Sequence, residues 1–377
     1  MKKFISILTV FSMLFIMCFA LSGCGYEYKK LKLRREYTRK YAGTEITVYN
    51  WGEYISDGAD GSVDVNREFE RITGIKVNYL TFESNETMYS QVTNGGVKYD
   101  IIIPSDYMIE RLISKNQLQK IDTSKLKNYD LISEDYKGLD FDKNNEYSVP
   151  YNVGMVGIIY NPKLVDIDED EHSWNVLWDE KYKDKVLNFN NPRDAFMTAQ
   201  MLLNIDINSE NKKDWDKAAE KLKDGKENLQ SYVMDEVYGK METGEAAIAP
   251  YYAGDYLTMA ENNPDLKFFY PKEGTNFFVD SICIPKKAKN VEAAMLYIDF
   301  LLEPDIAKAN AEYIGYASPN TEVINNTDYC YYQNEILYPD EKVRAKAKAY
   351  RDIDDKIRIY YETLWVQVKL YQKDFPI

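Results

Sequence analysis

Residues 46–104 contain three short apolar runs: ITVYNW (46–51), IKVNYL (75–80) and YDIIIP (99–104). Each run has the β-branched and aromatic composition of a strand. The polar segments between them, residues 62–72 and 84–94, predict helices that end at Gly74 and Gly95. A strand–helix–strand–helix–strand order predicts a parallel sheet covered by helices, which is an α/β fold.

The ends of these strands are where a ligand is expected, because open parallel sheets bind ligands beyond the carboxyl ends of their strands. Two groups of residues directly follow the first and third strands: Trp51, Gly52, Glu53 and Tyr54, and then Ser105, Asp106 and Tyr107. We therefore expect contact residues among them.

The rest of the chain predicts a second α/β region. Extended segments that end near proline occupy residues 147–151 and 280–285. The helices expected outside the first region lie near 194–204, 211–224, 234–241, 290–302 (capped by Asn290) and 340–373.

The overall charge is acidic. The 377 residues include 47 Lys and Arg against 61 Asp and Glu, and the net charge of −14 becomes −16 if residues 1–23 are removed with Lys2 and Lys3. An acidic chain is poorly suited to nucleic acid, which needs a basic surface. It suits a cationic ligand, although net charge alone also serves solubility.

The N-terminus has the features of a secretory signal. Lys2 and Lys3 precede an uncharged apolar run at residues 4–21, which is followed by Ser22, Gly23 and Cys24. This arrangement resembles a bacterial lipoprotein signal, which implies that residues 1–23 are removed and that Cys24 carries two acyl chains anchored in the membrane. The alternative is an uncleaved membrane-spanning helix. Both place the rest of the chain outside the cytoplasm.

Residues 24–43 are polar and strongly basic, and we expect a solvated tether between anchor and domain. An alternative is that its basic side chains bind an anionic membrane surface.

The cysteine and histidine residues do not indicate a disulfide, a metal site or a catalytic site. After the signal and Cys24, only Cys283 and Cys330 remain, and Cys283 lies in an apolar strand where cysteine serves as a small hydrophobic residue. We expect no disulfide, no metal site and no cofactor. The single histidine, His172, follows the acidic stretch 166–171 and reads as part of a solvated loop, so catalysis through histidine is not expected.

The chain resembles the spermidine/putrescine-binding proteins of polyamine ABC transporters. The similarity extends over residues 45–372 and is carried by short motifs: YNWGEYI (49–55), GIKV (74–77), FESNETMY (82–89), YDIIIPS (99–105), YSVPY (147–151), YPKEG (270–274), VDS (279–281) and IGYASPN (314–320). The order and number of these motifs make the match specific.

The resemblance implies a two-lobed periplasmic-binding-protein-like fold of type II, with hinge strands near 150 and 280 and a third crossing near 320. One lobe would hold residues 44–150 with 281–320, and the other residues 151–280 with 321–377. It also implies a monomer that carries putrescine or spermidine to an ABC importer's permease, and no enzymatic activity.

The same resemblance implies acids on the ligand's ammonium groups and aromatic rings around its methylenes. The residues carried over are Trp51, Glu53, Tyr54, Ser105, Tyr107, Asn191, Asp194, Tyr252, Asp255, Phe278, Asp280 and Tyr316. The chain departs from the family at Tyr252 and Phe278, where tryptophan is common, and at Asn191, where an acid is common. A further C-terminal contact, around Trp365 to Gln367, stays unassigned.

Other functions remain open at this point. Taken singly, an acid such as Asp255 or Asp280 is more often a cap or turn residue. A binding protein for a sugar, an amino acid or a metal ion, a two-carboxylate glycosidase and an adhesion lipoprotein are the alternatives. The acids beside aromatic residues at predicted strand ends favour a cation.

Overall fold

The computed structural model describes residues 31–372. The proposed signal peptide and Cys24 lie outside the described residues. Within residues 31–372, no helix is both long enough and apolar enough to cross a membrane. Cys283 is buried, Cys330 is exposed, and neither of these two described cysteines forms a disulfide.

The described strands, in chain order, are β1 (Glu45–Trp51), β2 (Lys76–Phe82), β3 (Ile101–Ile102), β4 (Ser148–Tyr160), β5 (Val186–Phe189), β6 (Leu229–Val233), β7 (Ile248–Tyr252), β8 (Lys267–Phe269), β9 (Thr275–Cys283) and β10 (Ala347–Lys348). They form one continuous sheet in the order β2-β1-β3-β9-β4-β7-β5-β6, with β10 on β9 and β8 on β4.

The described helices are α1 (Val65–Thr73), α2 (Asn85–Asn94), α3 (Asp106–Ser114), α4 (Pro192–Leu202), α5 (Lys212–Asp224), α6 (Glu236–Glu242), α7 (Ala253–Asn262), α8 (Val291–Leu301), α9 (Pro304–Ile314), α10 (Thr321–Ile324), α11 (Glu341–Arg344) and α12 (Asp355–Leu370).

The predicted order of β1, α1, β2, α2 and β3 is confirmed. β1 pairs in parallel with β2 and β3. Asp64 caps α1 by accepting the Arg67 N–H, and Ser84 caps α2 by accepting the Thr87 N–H. Gly74 ends α1 with φ 74°, a left-handed conformation that favours glycine.

Two long strands, β4 and β9, cross between the lobes. They run antiparallel from the Ser148–Cys283 pair to the Met155–Phe277 pair. At one end Cys283 also pairs with Ile102 of β3; we call the part that contains β1, β2 and β3 the first lobe. At the other end β4 pairs with β7; we call the part that contains β5, β6 and β7 the second lobe. The sheet therefore passes through both lobes, and its middle lies where they meet.

A third crossing follows α9. The Val153 N–H donates to the Ala317 carbonyl at 3.0 Å, which ties this segment to β4. The chain then packs on the first lobe, where the Thr321 hydroxyl donates to the Leu131 carbonyl. It reaches the second lobe at β10, and α12 packs against α5 and α4 there.

The prediction of one long helix over 340–373 is wrong. The segment instead forms α11, the short strand β10, an extended stretch and then α12, which is capped by Asp354. Pairing of Ala347 with Thr275 and burial of Tyr350 and Ile353 in the second lobe's core override the helix-favouring composition.

The prediction of a solvated tether is also wrong for its described part. Residues 32–42, which we call the strap, lie against the first lobe. The Arg34 backbone N–H and the Tyr37 hydroxyl donate to the two carboxylate oxygens of Glu303, at 2.7 and 2.9 Å. Arg35 forms an ion pair with Asp299 at 2.7 Å.

The strap supplies a cation to one buried acid, Asp299, and hydrogen bonds to another, Glu303. Asp299 and Glu303 are 1% and 0% exposed. A buried carboxylate without a partner is strongly destabilising. Arg39 also donates to the carbonyls of Arg71 and Ile72 at the end of α1. The strap is therefore part of the first lobe's fold.

We predict that Arg35→Met lowers the free energy of unfolding by about 3 kcal/mol, because Asp299 loses its cation inside the protein. Urea denaturation measures this change. Lys40→Met removes an exposed cation of the same strap and should cost under about 0.5 kcal/mol. Adding Asp299→Asn to Arg35→Met should recover much of the loss, and equal stability of Arg35→Met and the unmodified protein would contradict the role given to the strap.

Candidate functional site

The site lies where the crossing strands meet the carboxyl ends of β1 and β3. The Tyr54 hydroxyl, just beyond β1, donates to Oδ2 of Asp280 on β9 at 2.6 Å. Asp280 is 4% exposed, and its Oδ1 is buried with no hydrogen-bond partner among the described residues. Burial raises the pKa of Asp280 to about 6, and the side chains of Tyr54 and Ser105 oppose that shift.

Residues beyond β3 form one wall beside Asp280. Ser105 lies opposite Asp280 in an isolated antiparallel bridge. The Asn85 side-chain amide donates to the hydroxyls of Ser105 and Tyr107, both at 3.1 Å. The Tyr107 hydroxyl in turn donates to Glu86 at 3.0 Å. Hydrogen bonds between the N-terminal ends of α2 and α3 thus hold these polar side chains in place.

A second carboxylate comes from α4 in the other lobe. Asp194 is buried, and it accepts hydrogen bonds from the hydroxyls of Tyr252 at 2.8 Å and Tyr350 at 2.9 Å. Burial raises the pKa of Asp194, while the two tyrosine hydroxyls oppose that shift. Tyr350 also stands edge-on to Tyr107, with ring centroids 6.2 Å apart, so the two lobes touch here.

A third carboxylate, Asp255, lies in the first turn of α7. It accepts from the Tyr238 hydroxyl at 2.7 Å and from the Tyr316 hydroxyl at 2.5 Å. Burial raises the pKa of Asp255 as well. Tyr316 comes from the third crossing, so this hydrogen bond also links the crossing segment to the second lobe.

Aromatic rings from four segments lie close to the three acids. Phe278 lies 5.7 Å from Tyr252 and 6.2 Å from Tyr316, and Tyr316 lies 5.4 Å from Tyr54, measured between ring centroids. A Cβ on Gly154, which pairs with Phe278 across β4 and β9, would meet the Phe278 ring at 2.2 Å. Glycine at this position therefore makes room for the ring.

Comparison with known proteins agrees with this architecture. The model of a family described as bacterial extracellular solute-binding protein matches residues 97–331. The spermidine/putrescine-binding periplasmic protein of Salmonella typhimurium is 35% identical over 84% of this chain and 89% of its own length. The chain belongs to the bacterial extracellular solute-binding proteins.

Solved structures extend the likeness to the fold. A spermidine/putrescine ABC transporter substrate-binding protein from Streptococcus pneumoniae is 32% identical, with a TM-score of 0.75 over 88% of this chain and 100% of its own. A lipoprotein of Treponema pallidum is 25% identical, with a TM-score of 0.75 over 86% and 99%. The predicted two-lobed periplasmic-binding-protein-like fold is confirmed.

The structure brings most of the expected contact residues of this solute-binding protein together. Those joined by the hydrogen bonds, backbone pairing and ring contacts above are Tyr54, Ser105, Tyr107, Asp194, Tyr252, Asp255, Phe278, Asp280 and Tyr316.

Three expected residues have other surroundings. Glu53 is exposed and has a left-handed backbone with φ 49°. Asn191 caps α4 by accepting the Arg193 N–H at 3.0 Å. Trp51 packs on Phe82, with ring centroids 4.6 Å apart.

Sequence reasoning missed several residues of the site: Asn85, Glu86, Tyr238 and Tyr350. In the C-terminal segment Tyr350 donates to Asp194, while Trp365 is buried beside Tyr232 in the second lobe's core. With 33 tyrosines in the chain, nothing in the sequence distinguished Tyr350.

Asp106 is a further acid beside these residues; it was expected among the residues that follow the third strand, but the family resemblance did not carry it over. It is 1% exposed, its Oδ1 accepts the Tyr107 backbone N–H at 2.7 Å, and its Oδ2 has no hydrogen-bond partner in the described chain. Burial raises the pKa of Asp106 well above its ordinary value. Its position directly after β3 was the available signal.

His172 lies outside the site. Its ring stacks on Phe269 with centroids 4.0 Å apart, and burial lowers its pKa. It is therefore packed on the second lobe and is less solvated than the sequence indicated.

Proposed function

We propose that this solute-binding protein captures a polyamine, putrescine or spermidine, and delivers it to the permease of an ABC importer. The observation that carries the proposal is the set of carboxylates Asp194, Asp255 and Asp280, gathered between the lobes and surrounded by aromatic rings. The unpartnered Oδ1 of Asp280 is an acceptor for a ligand's N–H.

The physical fit is to a flexible apolar chain with a positive charge at each end. Removing an ammonium from water is unfavourable unless it is paired and hydrogen-bonded. A hydrogen bond to a charged group contributes about 1.5–3 kcal/mol, and a cation over an aromatic face up to about 2 kcal/mol. Two or three such contacts support micromolar binding, which corresponds to about −8 kcal/mol.

The relatives' names agree with this ligand class. The Salmonella protein is named for spermidine and putrescine binding, and the Streptococcus protein for spermidine/putrescine ABC transport. We propose that this chain acts as a monomer without enzymatic activity. A sugar, the main alternative ligand, has no positive charge with which to neutralise Asp194, Asp255 and Asp280.

We predict that Asp280→Asn abolishes most polyamine binding while the protein stays folded, because the amide keeps the side chain's shape and removes its charge. Calorimetric titration with putrescine, cadaverine, spermidine and spermine measures binding. Asp328→Asn removes an exposed acid and should bind as the unmodified protein does. Full binding by Asp280→Asn, or turnover of oligosaccharides by the unmodified protein, would contradict the proposal.

We also predict that affinity falls as the pH falls through about 6. The ligand amines stay protonated over pH 5–8. The carboxyl of Asp280, whose pKa is raised by burial to about 6, takes up a proton below that pH and can no longer pair with an ammonium. Affinity should be complete above pH 7 and fall by about tenfold per unit below pH 6. Equal dissociation constants at pH 5 and pH 8 would show that Asp280 does not carry the charge.

We further propose that Cys24 is lipidated and holds the protein at the outer face of a membrane. The sequence order of charge, apolar run and Ser22-Gly23-Cys24 supports this anchor, and one structural relative is itself described as a lipoprotein.

Cys24→Ser should move the protein from the membrane fraction to the soluble fraction, or leave it unprocessed, because serine cannot form the thioether. Fractionation with mass spectrometry of the N-terminal peptide measures the outcome. Cys330→Ser is the matched control and should leave the protein in the membrane fraction. A Cys24 peptide without lipid in the unmodified protein would contradict the anchor.

A further inference from the structure

Helix α3 begins at the candidate site, and two of its later residues contact the second lobe. Tyr107 lies in its first turn, and Glu110 and Arg111 follow three and four residues later, on the same side of the helix. The helix belongs to the first lobe, since Met108 and Leu112 are in a core cluster with residues of β1 and β3.

Glu110 contacts the second lobe through two groups. Arg351 donates to it with Nε at 2.9 Å and Nη2 at 2.6 Å, which is a bidentate pair. The Asp352 backbone N–H donates to the same carboxylate at 2.8 Å. A bidentate guanidinium–carboxylate pair is stronger and more directional than a single contact.

The adjacent residue makes a pair of opposite polarity. Arg111, which is 8% exposed, contacts Asp355 in the first turn of α12 at 2.7 Å. The first lobe therefore presents an acid and then a base, and the second lobe presents a base and then an acid. This crossed arrangement fits in one register only, because a shift would bring like charges together.

The segment that carries Arg351 and Asp355 packs tightly within the second lobe. The Arg351 backbone N–H donates to Asn208 at 2.8 Å, and Tyr350 donates to Asp194. Ile353 and Ile357 are buried in the second lobe's core. The ion pairs therefore join two separately packed bodies.

We propose that these two ion pairs, Glu110–Arg351 and Arg111–Asp355, form a clasp that holds the lobes closed over the ligand and slows its release. The proposal rests on the proposed function. None of the four side chains hydrogen-bonds to Asp194, Asp255 or Asp280, so the clasp acts on closure and leaves the ligand's own contacts unchanged. Glu110 and Arg351 are 23% and 39% exposed, which limits the cost of removing them from water.

The test compares Glu110→Arg, Arg351→Glu and the double exchange that restores opposite charges. All of these proteins carry Asp140→Asn, because Arg351 also pairs with Asp140 of the first lobe at 3.1 Å and a glutamate at position 351 would face that acid. Stopped-flow fluorescence with spermidine measures the association and dissociation rates. Each single variant should raise the dissociation rate about tenfold and change the association rate less than about threefold, because the ligand's contacts are intact. The double exchange should recover most of the slow dissociation. In the unmodified protein, dissociation should accelerate with salt.

The matched control is Lys120–Glu146, an exposed pair at 2.7 Å within the first lobe. Glu146→Arg should leave both rates unchanged. Wild-type dissociation rates in both single clasp variants, or no recovery in the double exchange, would overturn the clasp.

Failure of the proposed function is separable from failure of the clasp. If the unmodified protein binds no polyamine, the function fails, and small-angle scattering of the ligand-free protein then tests the clasp alone. Glu110→Arg should enlarge the radius of gyration and the double exchange should restore it. Equal radii in all three proteins would overturn the clasp.

Discussion

The structure depends on carboxylates that are kept away from water between two lobes. Asp194, Asp255 and Asp280 lose hydration there, and tyrosine hydroxyls replace only part of it. Burial raises the pKa of each acid, which means that ionising them destabilises the unliganded protein. In the proposed function, a cationic ligand pairs with these carboxylates and offsets the unfavourable free energy of ionising them, which contributes to binding.

Strand β9, which crosses between the lobes, places Phe278 and Asp280 where the two lobes meet. Side chains alternate along a strand, so Phe278 and Asp280 of β9 point to the same face, and Val279 points to the opposite face. Val279 is fully buried in a core cluster of the first lobe. One strand thus supplies a ring and an acid to the site while its alternate residues hold the scaffold. The strand contacts residues from both lobes: Asp280 accepts from Tyr54 of the first lobe, and Phe278 packs on Tyr252 of the second.

Local sequence patterns were sufficient for the first α/β region, because its helix caps and alternating strands are encoded within short segments. The family resemblance supplied most of the site, including Asp255 and Asp280. Contacts between distant segments were not predictable. Tyr350, which reaches Asp194, follows β10, the strand that pairs with β9. Arg35 pairs with Asp299, which is 264 positions further along the chain. From composition alone, residues 340–373 were predicted as one helix and residues 24–43 as a solvated tether.

If the buried acids are the binding groups, a ligand cation completes their hydrogen bonding. A crystal structure of the anchor-free protein with spermidine would show this contact. We expect an ammonium nitrogen about 3 Å from Oδ1 of Asp280 and a second near Asp194, with the methylenes against Phe278. Spermidine bound elsewhere at saturating concentration, with Oδ1 of Asp280 still without a partner, would show that these acids are not the binding groups.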